Sequence, residues 1–84
     1  MQKTHFHPYL GRALRNLRLE MGHTHDSLAR ECTTDVKTIS KIERDVQQGT
    51  HNTYFDLCRG LGIRYSRLTR LAEQLYHEDE QNRR

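Results

Sequence analysis

No run of apolar residues in this chain approaches the roughly 18–20 that a membrane-spanning helix needs. The stretch from Met1 to His7 also lacks the apolar segment of a signal peptide, so a cytoplasmic protein is expected. There is one proline, Pro8, and two valines and three isoleucines stand against ten leucines. So few helix breakers and β-branched residues favour helices over strands. The two cysteines, Cys32 and Cys58, are too few for a disulfide framework and fall on apolar positions, where reduced core residues are expected. No glycine-rich phosphate loop, carboxylate cluster or nucleophile–base arrangement is present, and catalysis is not expected. His5 and His7, and His23 and His25, alternate along the chain, but neither paired cysteines nor a His-x₃-His spacing completes a zinc set, so no metal or other cofactor is expected.

What is present is a short, charged chain of 84 residues, 33% hydrophobic and 30% charged. That length supports one modest core and excludes two domains. The charge is uneven. Residues 1–72 hold twelve Lys and Arg against seven Asp and Glu, whereas residues 73–84 hold two against four. A basic body with an acidic end suits a polyanionic partner, nucleic acid first among them.

The apolar residues recur at helical spacing rather than alternating. Residues 1–8 carry no period and are expected to form a loose arm ahead of a domain spanning 9–76. Leu10, Leu14, Leu17 and Met21 form the stripe of a first helix over about 9–21, ended by Gly22 in left-handed geometry. Thr24 caps a short second helix, about 25–32, bearing Leu28, Ala29 and Cys32. Asp35 caps a third, about 36–44, bearing Val36, Ile39 and Ile42. After a polar loop ending in Gly49, Thr50 caps a fourth helix with Tyr54, Leu57, Cys58 and Leu61, stopped by Gly62. Ser66 caps a fifth with Leu68, Leu71, Ala72 and Leu75, and the charged residues 77–84 are expected to fray as a tail. The expected fold class is all-α, five helices around a central helix-turn-helix formed by the second and third.

The segments Leu10 to Arg18, Gly22 to Ala29, Thr38 to Arg44 and Leu61 to Ile63 together resemble the phage repressor/Cro-type (XRE) helix-turn-helix family. The likeness runs without gaps from about Leu10 to Leu71, and Leu28-Ala29 with the run Thr38-Ile-Ser-x-Ile-Glu-Arg44 carries most of it. The resemblance implies a compact lambda-repressor-like domain that binds double-stranded DNA, with the helix at 36–44 in the major groove. The matching base-reading positions are Asp35, Val36, Lys37, Ser40 and Lys41. Lysine donates to guanine or phosphate, Ser40 reaches either acceptor, and Val36 suits a thymine methyl. Asp35 either accepts from cytosine N4 or only caps its helix.

The positions implied at the DNA backbone are Thr24, His25, Arg44, Gln48, Thr50, His51, Asn52 and Thr53. His25 stands where the family usually has Gln, and an imidazole there donates one hydrogen bond to phosphate. Arg18 and Glu43 are implied as an ion pair tying the first helix to the reading helix. Thr33 stands where the family commonly has glycine, which implies either a strained turn or a differently shaped one. Asp45, in place of another common glycine, tolerates left-handed geometry better.

Such proteins read two half-sites as two-fold dimers, and the stripe Leu68, Leu71, Leu75 and Tyr76 is the expected pairing surface. The expected function is a sequence-specific transcriptional regulator, a dimeric repressor of its own or a neighbouring promoter acting at a palindromic operator. The alternative is an antitoxin or protein-interaction module whose main partner, such as a toxin or polymerase, is another protein.

Overall fold

A computed structural model describes residues 7–82 of the chain. Five helices account for most of them: α1 (His7–Glu20), α2 (His25–Glu31), α3 (Val36–Glu43), α4 (His51–Leu61) and α5 (Tyr65–Asn82). No strand occurs among the described residues. The fold is therefore the all-helical one expected. The arm expected over residues 1–8 lies outside the described residues except for its last two, which already belong to α1.

Three helices end the same way. At the close of α1 the N–H of Gly22 (φ 81°) donates to Leu19 O and that of His23 to Arg18 O. Gly62 (φ 74°) and Ile63 repeat this on Arg59 and Cys58 at the end of α4. Asp45 (φ 60°) and Val46 repeat it on Ile42 and Lys41 after α3. Each pair satisfies two carbonyls the helix would otherwise leave open, and a left-handed residue lets the chain turn to do it. Asp45 is the one non-glycine residue to adopt that conformation among those described.

The helix starts follow from hydroxyl caps. Thr24 Oγ1 accepts from the Ser27 N–H and Ser27 Oγ accepts from the Thr24 N–H, a reciprocal box. Thr50 Oγ1 accepts from the Thr53 N–H at 3.1 Å. Asp35 occupies the cap position of α3 with extended backbone but makes no capping hydrogen bond. The Thr38 hydroxyl in front of it holds its carboxyl below the ordinary value. The cap expected at Ser66 is not one: α5 begins at Tyr65, so Ser66 already lies inside the helix.

The core joins Leu14 and Leu17 of α1, Leu28 of α2, Ile39 and Ile42 of α3, Leu57 and Leu61 of α4, and Leu68 and Ala72 of α5. Each such leucine or isoleucine removed from water contributes roughly 1.5–3 kcal/mol. Cys58 is buried among them, and desolvation pushes its thiol up to about 11, so it stays a neutral packing group. Met21, expected on the α1 stripe, falls beyond the helix end and is 42% exposed, because the turn at Gly22 carries the chain away from the core.

α1 packs antiparallel on α5 at its outer side and on α3 at its inner side. Tyr9 Oη and Arg12 Nη1 both donate to Asp79 Oδ2, at 2.8 and 3.0 Å, and the Tyr9 and Tyr76 rings meet edge to face. These contacts hold the far end of α5, so the expected fraying tail is instead helical through Asn82. Leu68 is fully buried in this arrangement, and Leu71, Leu75 and Tyr76 are half-buried, the two leucines against the core. Leu68 therefore cannot belong to the expected pairing surface, whereas Leu71, Leu75 and Tyr76 keep part of their surface exposed.

The approach of α1 to α3 depends on Gly11, where a side-chain methyl would run into the Ile42 carbonyl oxygen. In an unhindered helix interior, Gly→Ala is stabilising by about 1 kcal/mol. Here Gly11→Ala is expected to do the reverse and destabilise by about 1–3 kcal/mol through overpacking. Urea unfolding of the two chains measures the sign.

Candidate nucleic-acid interface

α2 and α3 are joined by the four residues Cys32 to Asp35 and form the helix-turn-helix. α3 turns Ile39, Ile42 and Glu43 inward and leaves Val36, Lys37 and Lys41 exposed on one side. Val36 is 37% exposed although it belongs to the apolar pattern, since it sits at the first turn before the helix meets the core. Neither Lys37 nor Lys41 has an ion-pair partner among the described residues. Ser40 is half-buried, and its hydroxyl accepts from Arg44 Nε at 3.3 Å, which makes it the least available of the residues expected on this face.

What sets the pose of α3 is a buried ion pair. Arg18 Nε donates to Glu43 Oε2 at 2.7 Å and Arg18 Nη2 to Glu43 Oε1 at 3.0 Å, with the two side chains only 6% and 2% exposed. Arg18 Nη1 also donates to the His23 carbonyl at 2.7 Å. One guanidinium thus fixes α1, the turn after it and the reading helix, using the planar fork that only arginine offers. His25 joins the same group: its Nε2 lies 3.0 Å from Glu43 Oε1. That nitrogen is engaged by the carboxylate, so the ring expected at a phosphate is hydrogen-bonded to the buried pair instead.

The residues expected at the DNA backbone differ in exposure. Arg44, Gln48, Thr50 and Asn52 are exposed, and Thr53 is half-buried. The hydroxyls of Thr24, Thr50 and Thr53 are engaged in their own caps, which leaves the exposed first turns of α2 and α4 as the groups presented outward. His51 is drawn elsewhere. Its Nδ1 is hydrogen-bonded with Tyr65 Oη at 3.2 Å, and its ring lies in a cluster with Phe55 and Tyr65.

The turn itself is neither strained nor glycine-like. Cys32 is extended (φ −140°, ψ −177°), and Thr33 does not take a positive φ. The Thr33 N–H donates to both carboxylate oxygens of Asp56 on α4, at 3.1 and 3.0 Å, and the Thr34 hydroxyl donates to Oδ2 at 2.7 Å. Arg59 Nη2 adds a 2.6 Å contact to Oδ1. Burial alone would raise the Asp56 carboxyl, but the Thr34 and Thr33 donors outweigh it and hold it below the ordinary value of 3.8. Its contribution to stability is therefore present above that value and lost as pH falls through the lower folded one. The residue is a helix-borne acid 22 positions from Thr34, and no local spacing in the sequence marks it.

No family model matches the chain, and no curated protein does. Among solved structures it is similar to the clp gene regulator ClgR from C. glutamicum, at 24% identity with a TM-score of 0.78, over 86% of this chain and 94% of that one. It is also similar to the restriction-modification controller protein C.Esp1396I, at 22% identity and 0.78 over 86% of this chain and 92% of that one. A single-site variant of that controller aligns at 21% identity and 0.81, over 89% and 95%. At these identities the likeness is one of fold.

Removing one member of the buried pair leaves the other charged and unpaired, which typically costs about 3–5 kcal/mol. Arg18→Ala is expected to lower the melting temperature by roughly 10 °C or more in a domain of this size. A drop of one or two degrees in thermal unfolding would show that the pair carries no such weight.

Proposed function

We propose that this protein is a sequence-specific DNA-binding transcriptional regulator, acting as a homodimeric repressor at a palindromic operator. The observation that carries the reading is α3: an eight-residue helix with its apolar side locked into the core by Arg18 and Glu43, offering two unpaired lysines and Val36 outward. The exposed Arg44–Gln48 loop and Asn52 in the first turn of α4 follow it in the chain and suit a duplex backbone. Both neighbours in fold, by their descriptions a gene regulator and a restriction-modification controller, support a regulatory role. Lys37 and Lys41 reach base edges or phosphate, Val36 packs on thymine methyl, and Asn52 and Arg44 hold the backbone. Repression follows from occlusion, since a domain seated on promoter DNA excludes other proteins from it.

A second copy completes the site. One short reading helix buries too little surface for tight specific binding, and two-fold partners place two such helices one turn of DNA apart. Leu68 is lost to the core, and the aromatic patch where α4 meets the start of α5 offers a surface for pairing. Phe55 is 52% exposed yet stacked on Tyr65 at 4.4 Å, with Ile63 half-buried nearby. Aromatic groups of this kind anchor protein interfaces.

Selection from a random DNA pool tests the reading directly, and a pool that yields no preferred sequence overturns it. On the selected site, Lys41→Ala is expected to lose about 1–3 kcal/mol of discrimination against the wrong base. Asn52→Ala is expected to weaken selected and random DNA alike. Equal losses on both DNAs for Lys41→Ala would remove it from base reading. Sedimentation of the parent on the selected site is expected to give two chains per duplex, and Phe55→Asp one. A parent that binds as a single chain rejects the dimer.

A further inference from the structure

Four helix ends stand between α1 and α5, and three of them are closed by their own backbone through a left-handed residue. The end of α2 is the exception. Its chain leaves in extended geometry at Cys32, and the Thr33 N–H, which a left-handed turn would have sent back to a helix carbonyl, goes to the Asp56 carboxylate of another helix. Asp56 takes the Thr34 hydroxyl as well, so two successive residues of the motif turn are held by one side chain. One helical turn further along α4, at Gly60, the backbone comes so close that an added Cβ would sit 3.0 Å from Cys32 Cβ and 3.2 Å from the Glu31 carbonyl oxygen. The end of α2 is therefore both abutted and clamped by a single face of α4.

We infer that Asp56 is a positioning residue for DNA reading: it sets the angle at which α3 leaves the turn, relative to the α4 terminus that rests on the DNA backbone. The inference rests on the proposed regulatory function and adds to it a residue that touches no DNA. The physical reason is that the two contact sets come from different elements. Backbone contacts of α4 fix where the domain sits on the duplex, and base contacts of α3 succeed only if that helix projects from the turn at the matching angle. The Asp56 clamp is the covalently short route between them, running from α4 through one carboxylate to the two residues that precede Asp35. Its geometry is satisfied from several directions, with donors from Thr33, Thr34 and Arg59, which gives a defined orientation rather than a loose contact.

The test compares the parent with Asp56→Ala, Asp56→Asn and Asp56→Glu on the selected operator and on random DNA, at a temperature where circular dichroism shows each chain fully helical. Asp56→Ala is expected to lose about tenfold in the ratio of selected to random affinity, the lower end of what one misplaced base contact forfeits. Its affinity for random DNA should stay within about twofold, because non-specific binding rests on charge rather than on the pose of α3. Asp56→Asn, which keeps one acceptor for the turn, is expected to fall between the parent and the alanine variant. It carries the test alone if the alanine chain does not fold. Asp56→Glu keeps the charge but not the reach and should not restore the ratio. A parent that discriminates beside an Asp56→Ala or Asp56→Asn chain that discriminates equally overturns this inference alone. Loss of equal size on both DNAs overturns it too, as a merely structural effect. A parent with no preferred sequence overturns the regulatory reading and the inference with it.

Discussion

The ion pair between Arg18 and Glu43 is the constraint from which the arrangement of the first three helices follows. Two ionised groups withdrawn from water are tolerated only when their hydrogen-bonding capacity is met, and here it is: both carboxylate oxygens accept from one guanidinium, which spends a third donor on a main-chain carbonyl. An apolar contact between α1 and α3 would permit sliding and rotation by small steps. A bidentate pair permits one register. The adjacent close approach at Gly11 works to the same end, because the backbones meet with no side chain between them. Packing and electrostatics agree on a single pose for α3.

That pose is held from the other side by α4. The Asp56 carboxylate and the backbone at Gly60 fasten the end of α2, so the helix-turn-helix is gripped between α1 and α4 rather than resting on the core as a free motif. The two grips differ in chemistry. One is a buried charge pair, the other a carboxylate receiving neutral donors at a surface turn, and the second responds to acid through its lowered carboxyl. Outward from both lies the side of α3 that bears Lys37 and Lys41, which form no ion pair among the described residues.

The helices were legible in the sequence because their signals are local: threonine at the caps of α2 and α4, glycine after α1 and α4, and leucines three and four apart. The burial of Tyr54, Leu57, Cys58 and Leu61 follows from the same period. Met21 and Ser66 are misplaced at helix boundaries, whereas the other differences need a partner distant in the chain. Leu68 looks like part of a surplus stripe until the packing of α1 on α5 buries it. The fraying expected after Tyr76 fails because Asp79 meets Tyr9 and Arg12. His25 was placed by position at a phosphate, but Glu43 sits within reach of its ring. Of the two shapes expected for the turn at Thr33, the unstrained one occurs, with its N–H taken by a carboxylate from α4.

The tether between Tyr9 and Asp79 spans 70 residues, and it joins the outermost helices of the described chain. The entropic cost of closing a loop rises only with the logarithm of its length, and the α1–α5 contact offsets it. The motif between them rests on contacts made within a much shorter stretch. The α1–α5 belt and the motif are thus fastened by different groups. Unbuckling the belt frees the acidic end of α5 while the reading helix keeps its place.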